Sequence, residues 1–247
     1  LTCAAGAGCA IPRFDGNLER LRIVSTGLGG ALLDVAAGAT VTGLVGPLDF
    51  GFRTYTIFPE ATPAVVDQVS VRSVPPAHPD EITVASLNML RFFDDQNDPD
   101  FPIPGTGGTE PVLTAAAWER RLTKASRTIR EVLGTPDVVG LVEVENQATV
   151  DALAARLNAD ALAAGAPDPG YQGSLVVGND IGGIDVGFIW KAARFASVTL
   201  EQAGKDTTFT NPNTGGQELL NDRPPLLMRA RATRPNGQAF DLVVIVN

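Results

Sequence analysis

Hydrophobic and polar residues follow two different periods along this chain, and the change between them divides it. Between Leu21 and Phe58 the apolar residues come in short runs: Leu21 to Val24, Ala39 to Val45 and Phe52 to Phe58. Glycine and proline separate them, and no helical period runs from Ala39 to Phe58. The pattern predicts a small all-β, barrel-like domain over residues 16–60, behind a tail over residues 1–15. Pro59, Pro63, Pro75, Pro76 and Pro79 follow. Proline stiffens the chain and removes backbone donors, so residues 61–80 read as an extended linker, to which Val65 to Val74 can add a short edge strand.

From Glu81 onward strand and helix periods alternate. Ile82 to Asn88 alternates at period two. Thr114 is suited to cap a helix on which Trp118, Leu122, Ala125, Ile129 and Val132 share one face, and Gly134 and Pro136 stop it. Val138 to Val142 is continuously apolar, as in a strand buried on both faces. A second helix is expected from Ala148 to Ala164, with Val150, Leu153, Leu157 and Leu162 inward. Further strands are expected at Gly173 to Val177, Asp185 to Trp190, Ala196 to Leu200, Leu226 to Ala232 and Phe240 to Val246. Pro235-Asn236-Gly237 makes a hairpin turn between the last two. Strands with helices between the early ones indicate a layered α/β architecture over residues 81–247.

Composition narrows the functional classes. Of the 247 residues, 44% are hydrophobic and 19% charged, enough apolar content for a sizeable core. No run of about 18 apolar residues exists, so a membrane-spanning helix is not expected. The formal charge of −9 weighs against a general nucleic-acid binder, which needs a basic face. It leaves room for an enzyme in which a divalent cation neutralises phosphate. Arg120, Arg121, Lys124, Arg127 and Arg130 make the first helix the one basic element, either a polyanion-facing surface or a solvated one. Cys3 and Cys9 enclose a small, flexible interval and are expected to form a disulfide; two unpaired thiols in a tail are the alternative. Asp94, Asp95, Asp98 and Asp100 lie in a long loop whose spacing fits no calcium-loop pattern, so a solvated loop is expected. The only histidine, His78, stands between prolines and reads as a solvated linker residue.

Two residues are placed for chemistry. Asn88 and Glu143 both follow apolar strands. A carboxylate at the end of a buried strand needs a partner, and a hard cation such as Mg²⁺ is one. Capping the next helix or reaching solvent are the others.

The segment Asp137-Val138-Val139-Gly140-Leu141-Val142-Glu143-Val144-Glu145-Asn146 resembles the metal-binding segment of the endonuclease/exonuclease/phosphatase superfamily, in its secreted bacterial nuclease branch. Ser86 to Phe93 resembles the first core strand of that family. Glu119-Arg120-Arg121-Leu122 resembles the intervening helix, Gly183 to Ile189 a later core strand, and Asn221-Asp222-Arg223-Pro224-Pro225-Leu226 the segment before the next strand. The resemblance implies a four-layer α/β sandwich of the deoxyribonuclease-like type, here incomplete, and a secreted, metal-dependent phosphodiester hydrolase acting on DNA or RNA. It implies Glu143 and Asn88 at the metal, Asn88, Asp185 and Arg223 in the catalytic set, and Mg²⁺ as the cation, with Ca²⁺ or Mn²⁺ as alternatives. Asn146 is a further candidate. The family pattern has an arginine where this chain has Gly182. Phe240 to Asn247 resembles the strand ahead of the family's catalytic histidine, so a C-terminally truncated domain, inactive alone, is expected. Residues 16–22 and 42–50 resemble an oligonucleotide-binding type of barrel; Phe50, Phe52, Tyr55 and Phe58 could stack on bases or simply pack a core. A phosphatase for lipid, inositol or nucleotide phosphoesters, and a non-catalytic binding module, are the rival readings of the same scaffold.

Overall fold

The computed structural model describes residues 20–51, 54–66, 72–98, 110–234 and 236–247. The expected Cys3–Cys9 disulfide and the tail over residues 1–15 lie outside them, as do Asp100 and Phe52. The chain divides into two compact units, Leu1–Val71 and Arg72–Asn247.

The first unit carries β1 (Leu21–Ile23), β2 (Thr40–Thr42), β3 (Leu48–Gly51), β4 (Thr54–Ile57) and β5 (Ala64–Val66). β4 lies between β1, to which it is parallel, and β3, to which it is antiparallel. β2 and β5 form a separate antiparallel pair. Strands of three or four residues give two small sheets here, and no pairing joins those sheets among the described residues. The Phe50 and Tyr55 rings lie 4.8 Å apart at a tilt of 51°. Ala64–Val66 lies within the stretch expected as a linker and pairs with β2 as a strand.

The second unit is built in three layers. Its central sheet has the order β6-β7-β9-β8, from β6 (Val84–Phe92), β7 (Val138–Val144), β8 (Tyr171–Leu175) and β9 (Asp185–Lys191). β6 and β7 are parallel, and β9 runs antiparallel to both β7 and β8. Side chains alternate across a strand. Val139, Leu141 and Ile189 therefore face α1 (Ala115–Arg127) and α2 (Gln147–Ala163), against Leu122, Ile129, Leu153 and Leu157. Val138, Val186, Phe188 and Trp190 face the other way, onto Leu226, Met228, Ala232 and Val246 of a second sheet. That sheet has the order β10-β13-β14, from β10 (Phe195–Gln202), β13 (Leu226–Thr233) and β14 (Ala239–Val246). A hairpin of β11 (Thr208–Thr210) and β12 (Gln217–Leu219) precedes β13. Full burial of each large apolar side chain contributes roughly 2 kcal/mol, which makes the doubly covered β7 the centre of the core.

Local signals set the element ends. Thr114 caps α1 by accepting from the Ala117 amide, and a π-helical turn at Thr128–Val132 extends the helix to Gly134, whose φ is +71°. Asn146 caps α2 in a reciprocal pair with Thr149. The sheets approach closely at Gly140: a Cβ there would lie 3.1 Å from the Val246 side chain, which would have to shift by a few tenths of an ångström. One inward assignment is corrected. Leu162 is exposed and Ala161 is buried in its stead. Five residues from Leu157 overshoot the helical face, whereas four residues return to it.

Asp137 ties three strands together where β7 begins. It is buried and accepts from the Thr83 amide at 3.0 Å and from Lys191 Nζ at 3.1 Å, with Arg194 at 3.5 Å. Asp137→Ala would leave those donors without their acceptor. It is expected to lower the unfolding free energy by about 3 kcal/mol, read from the midpoint of urea unfolding at constant m-value.

Candidate active site

β6 and β7 pair in register from Val84–Val138 to Asn88–Val142, and the ladder resumes only at Phe92–Val144. Leu90 and Arg91 occupy the extra length on β6, with φ of 55° and 56°. On its other edge β7 also slips, from Val142–Val186 to Val144–Asp185, and the residue left over is Glu143, with φ of 65°. Left-handed backbone at non-glycine residues costs roughly 1–3 kcal/mol each and persists only where the surroundings over-determine it. Such bulges bend a strand and re-aim a side chain.

Hydrogen bonds supply the over-determination. Glu143 Oε2 accepts from the Arg91 amide at 3.0 Å, and Oε1 accepts from Asn88 Nδ2 at 3.1 Å. Asn88 Oδ1 accepts from the Leu90 amide at 2.7 Å. The carbonyls of the same bulge turn outward and are held by Arg121 of α1, whose Nη2 donates to Leu90 O at 2.7 Å and whose Nη1 donates to Arg91 O. One face of the basic helix thus has a local task that its periodicity did not reveal. The Asn88 hydrogen bond, more than any other contact, lowers the Glu143 pKa; the Arg91 amide and the Arg223 charge act in the same direction, against partial desolvation. Glu143 is therefore a carboxylate at neutral pH.

Arg223 closes the cluster. Its Nη1 lies 3.6 Å from Glu143 Oε1 and its Nε lies 3.6 Å from Asp180 Oδ2. The guanidinium bridges these two acids and not its neighbour Asp222. Asp180 had no sequence signal beyond a turn-rich segment; its Oδ1 accepts from the Gly182 amide at 2.6 Å, which closes the turn.

The remaining candidates sit apart. Asp185 is buried and accepts from the Gly178 amide at 2.6 Å; a Cβ at Gly178 would lie 2.8 Å from that carboxylate. No hydrogen bond or ion pair joins Asp185 to Glu143 or Arg223 among the described residues. Asn146 is occupied in capping α2 and in a contact with Asp98. His78 is exposed; its Nδ1 accepts from the Asp80 amide at 3.3 Å.

A small hard cation takes oxygen ligands and keeps several waters, using one or two carboxylates plus substrate oxygens. The Glu143 carboxylate, ionised and partly exposed beside the Asn88 amide, fits that demand. Arg223 stands at 3.6 Å from Oε1, the oxygen that also accepts from Asn88.

Burial pushes Asp185 up to about 6, the Asp180 charge adds to the rise, and the Gly178 amide opposes it. The folded chain then holds this proton to a higher pH than the unfolded chain, whose aspartate releases it near 3.8. Stability is greatest below about 4 for this group and falls as pH rises to about 6. Asp185→Asn is expected to remove that slope and to leave the variant the more stable by up to ~3 kcal/mol at neutral pH. Urea unfolding of both proteins from pH 4 to 7 measures it.

No family model matches the chain, and no curated protein matches it. Among solved structures, it is similar to an endonuclease/exonuclease/phosphatase from Bacteroides vulgatus, at 15% identity and a TM-score of 0.35, over 66% of this chain and 51% of that one. It is also similar to ANGEL2, a 2′,3′-cyclic phosphatase, at 17% identity and a TM-score of 0.30, over 51% of this chain and 31% of that one. The chain thus spans about half the length of the first and about a third of the second.

Proposed function

We propose that this chain forms the metal-holding part of a phosphodiester hydrolase, a secreted nuclease acting on DNA or RNA. The observation that carries the reading is the convergence of Asn88, Glu143 and Arg223 on bulged strand ends. Three residues from separate parts of the chain meet there, each of a type suited to phosphate chemistry. The motif order along residues 82–226 supports the same reading.

In this proposal Glu143 holds Mg²⁺, with Asn88 fixing the orientation of its carboxylate. When bound, the cation would stabilise charge developing on the phosphoryl oxygens. Arg223 binds two of those oxygens through its planar donors, and Asp180 keeps the guanidinium aimed at them. Arg121 and the Arg91 amide preserve the bulge, so the carboxylate needs no rearrangement when substrate arrives. Asp185 acts at one remove, by setting the loop that carries Gly178, Asn179 and Asp180. His78 is assigned no proton transfer, since its partners are its own neighbours.

The test is cleavage of supercoiled plasmid and of single-stranded RNA by the protein that carries this chain, with Mg²⁺ or with chelator. Chelation is expected to abolish cleavage. Glu143→Gln and Arg223→Ala are each expected to lower turnover at least ~100-fold while the circular dichroism spectrum is unchanged. Wild-type rates in Glu143→Gln would end the proposal. Hydrolysis of small phosphoesters without any cleavage of nucleic acid would transfer it to the phosphatase reading.

A further inference from the structure

A second group of acids lies next to the first in sequence and has different partners. Asp98 and Glu110 flank the far part of the loop between β6 and α1, and Glu145 directly follows β7. One carboxylate oxygen from each lies within 4.8 Å of the others. Glu145 is 8% exposed. Its Oε1, and Oε1 of Glu110, are buried with no N–H or O–H donor from another residue type among the described residues. Leaving one buried acceptor unsatisfied costs about 1–3 kcal/mol, and more where the group is charged. Two such oxygens at one place need a common explanation.

Burial and a side-chain hydrogen bond with Glu110 push Glu145 up to about 8, so these two carboxyl groups face each other and can share a proton; the other contacts are all with neutral donors. Glu145 Oε2 accepts from the Asp94 amide at 3.0 Å, Glu110 Oε2 accepts from the Asp98 amide at 2.6 Å, and Asp98 Oδ2 accepts from Asn146 Nδ2. No lysine or arginine forms an ion pair with these three acids among the described residues. The buried Asp94 adds a fourth carboxyl group beside them. The backbone amides and Asn146 aim the carboxylates, but they supply no positive charge. A hard cation in place of that proton would ligate the facing oxygens and cancel the charge of the three acids. A calcium–oxygen distance of about 2.3–2.6 Å lets ligand oxygens on opposite sides of one ion stand ~5 Å apart, which matches the spread of this group.

We propose that Asp98, Glu110 and Glu145 form a structural divalent-cation site, of calcium type, that fastens the β6–α1 loop to the end of β7. It is separate from the Glu143 cluster: Glu143 bonds to Asn88 and Arg91, Glu145 bonds to Asp94, and they share no partner. The site does not rest on the hydrolase reading. Its place in the chain gives it a clear consequence. Asn146 both caps α2 and contacts Asp98, so the ion would couple the loop to the helix start.

Calcium added to the chelator-treated chain is the test, followed by isothermal titration calorimetry and by thermal unfolding. Wild type is expected to bind Ca²⁺ and to unfold at a higher temperature in its presence. Glu110→Gln, at a half-exposed position, should fold normally and bind Ca²⁺ at least ~10-fold more weakly. Glu145→Gln should lose the calcium-dependent rise in unfolding temperature, while Glu201→Gln, at an exposed position on β10, should keep it. Two results would overturn the site. One is a wild type whose unfolding temperature ignores Ca²⁺ at millimolar concentration and whose calorimetric trace is flat. The other is equal Ca²⁺ affinity in wild type, Glu110→Gln and Glu145→Gln. Stabilisation by Glu145→Gln in chelator, together with no response of wild type to Ca²⁺, would show that a shared proton closes the cluster.

Discussion

Two neighbouring strands lose register at the same end of the central sheet, and the Glu143 carboxylate spans the gap between them. Its two oxygens take the Arg91 amide of one bulge and the Asn88 side chain ahead of it, while Glu143 itself sits on the bulge of the other strand. Three left-handed residues are therefore stabilised by one acceptor group. Without it, the Arg91 amide and the Asn88 side-chain amide would have to find another acceptor. Arg121 completes the arrangement from the helix layer by taking the Leu90 and Arg91 carbonyls. The rim is consequently built from a sheet and a helix at once, and its geometry depends on their packing.

The layers explain why such a strained rim can persist. β7 is covered on both faces, by α1 and α2 on one side and by the β10-β13-β14 sheet on the other. Its start is anchored by Asp137, which holds Thr83, Lys191 and Arg194. A strand fixed along its length and at its origin can carry a bulge at its far end without slipping. The bulge then presents one acid, Glu143, to Arg223, and the next, Glu145, to the acids of the β6–α1 loop. Alternating residues of one short segment thus serve two electrostatic environments. One contains an arginine and the other contains only amides and acids.

The elements of the second unit were largely legible, because its core strands and helices carry unbroken apolar patterns. The continuous run at Val138–Val142 and the face of Trp118, Leu122, Ala125 and Ile129 both lie where their periods place them. The failures follow from weak local signals. β3, β11 and β12 are three or four residues long and mostly exposed, so no hydrophobic pattern marks them. Leu162 was misplaced because an apolar residue near a helix end need not share the buried face. Asn88, Glu143 and Arg223 stood out by type and position, whereas Asp180 and Arg121 did not: a turn aspartate and a helix arginine look like surface residues until the fold brings them to a partner.

Sequence alone determined which residues could be buried, where most core elements lie, and which acids end apolar strands. These are properties of short windows: propensity, period and capping act within a few residues of one another. Tertiary structure alone decided that Leu90, Arg91 and Glu143 adopt left-handed backbone, that Arg223 reaches Glu143 and Asp180, and that Glu145 turns to Asp98 and Glu110. Those outcomes depend on contacts between groups up to 80 residues apart, as with Arg223 and Glu143. A register slip or an ion pair of that range has no energy until the sheet and helices have brought its partners together.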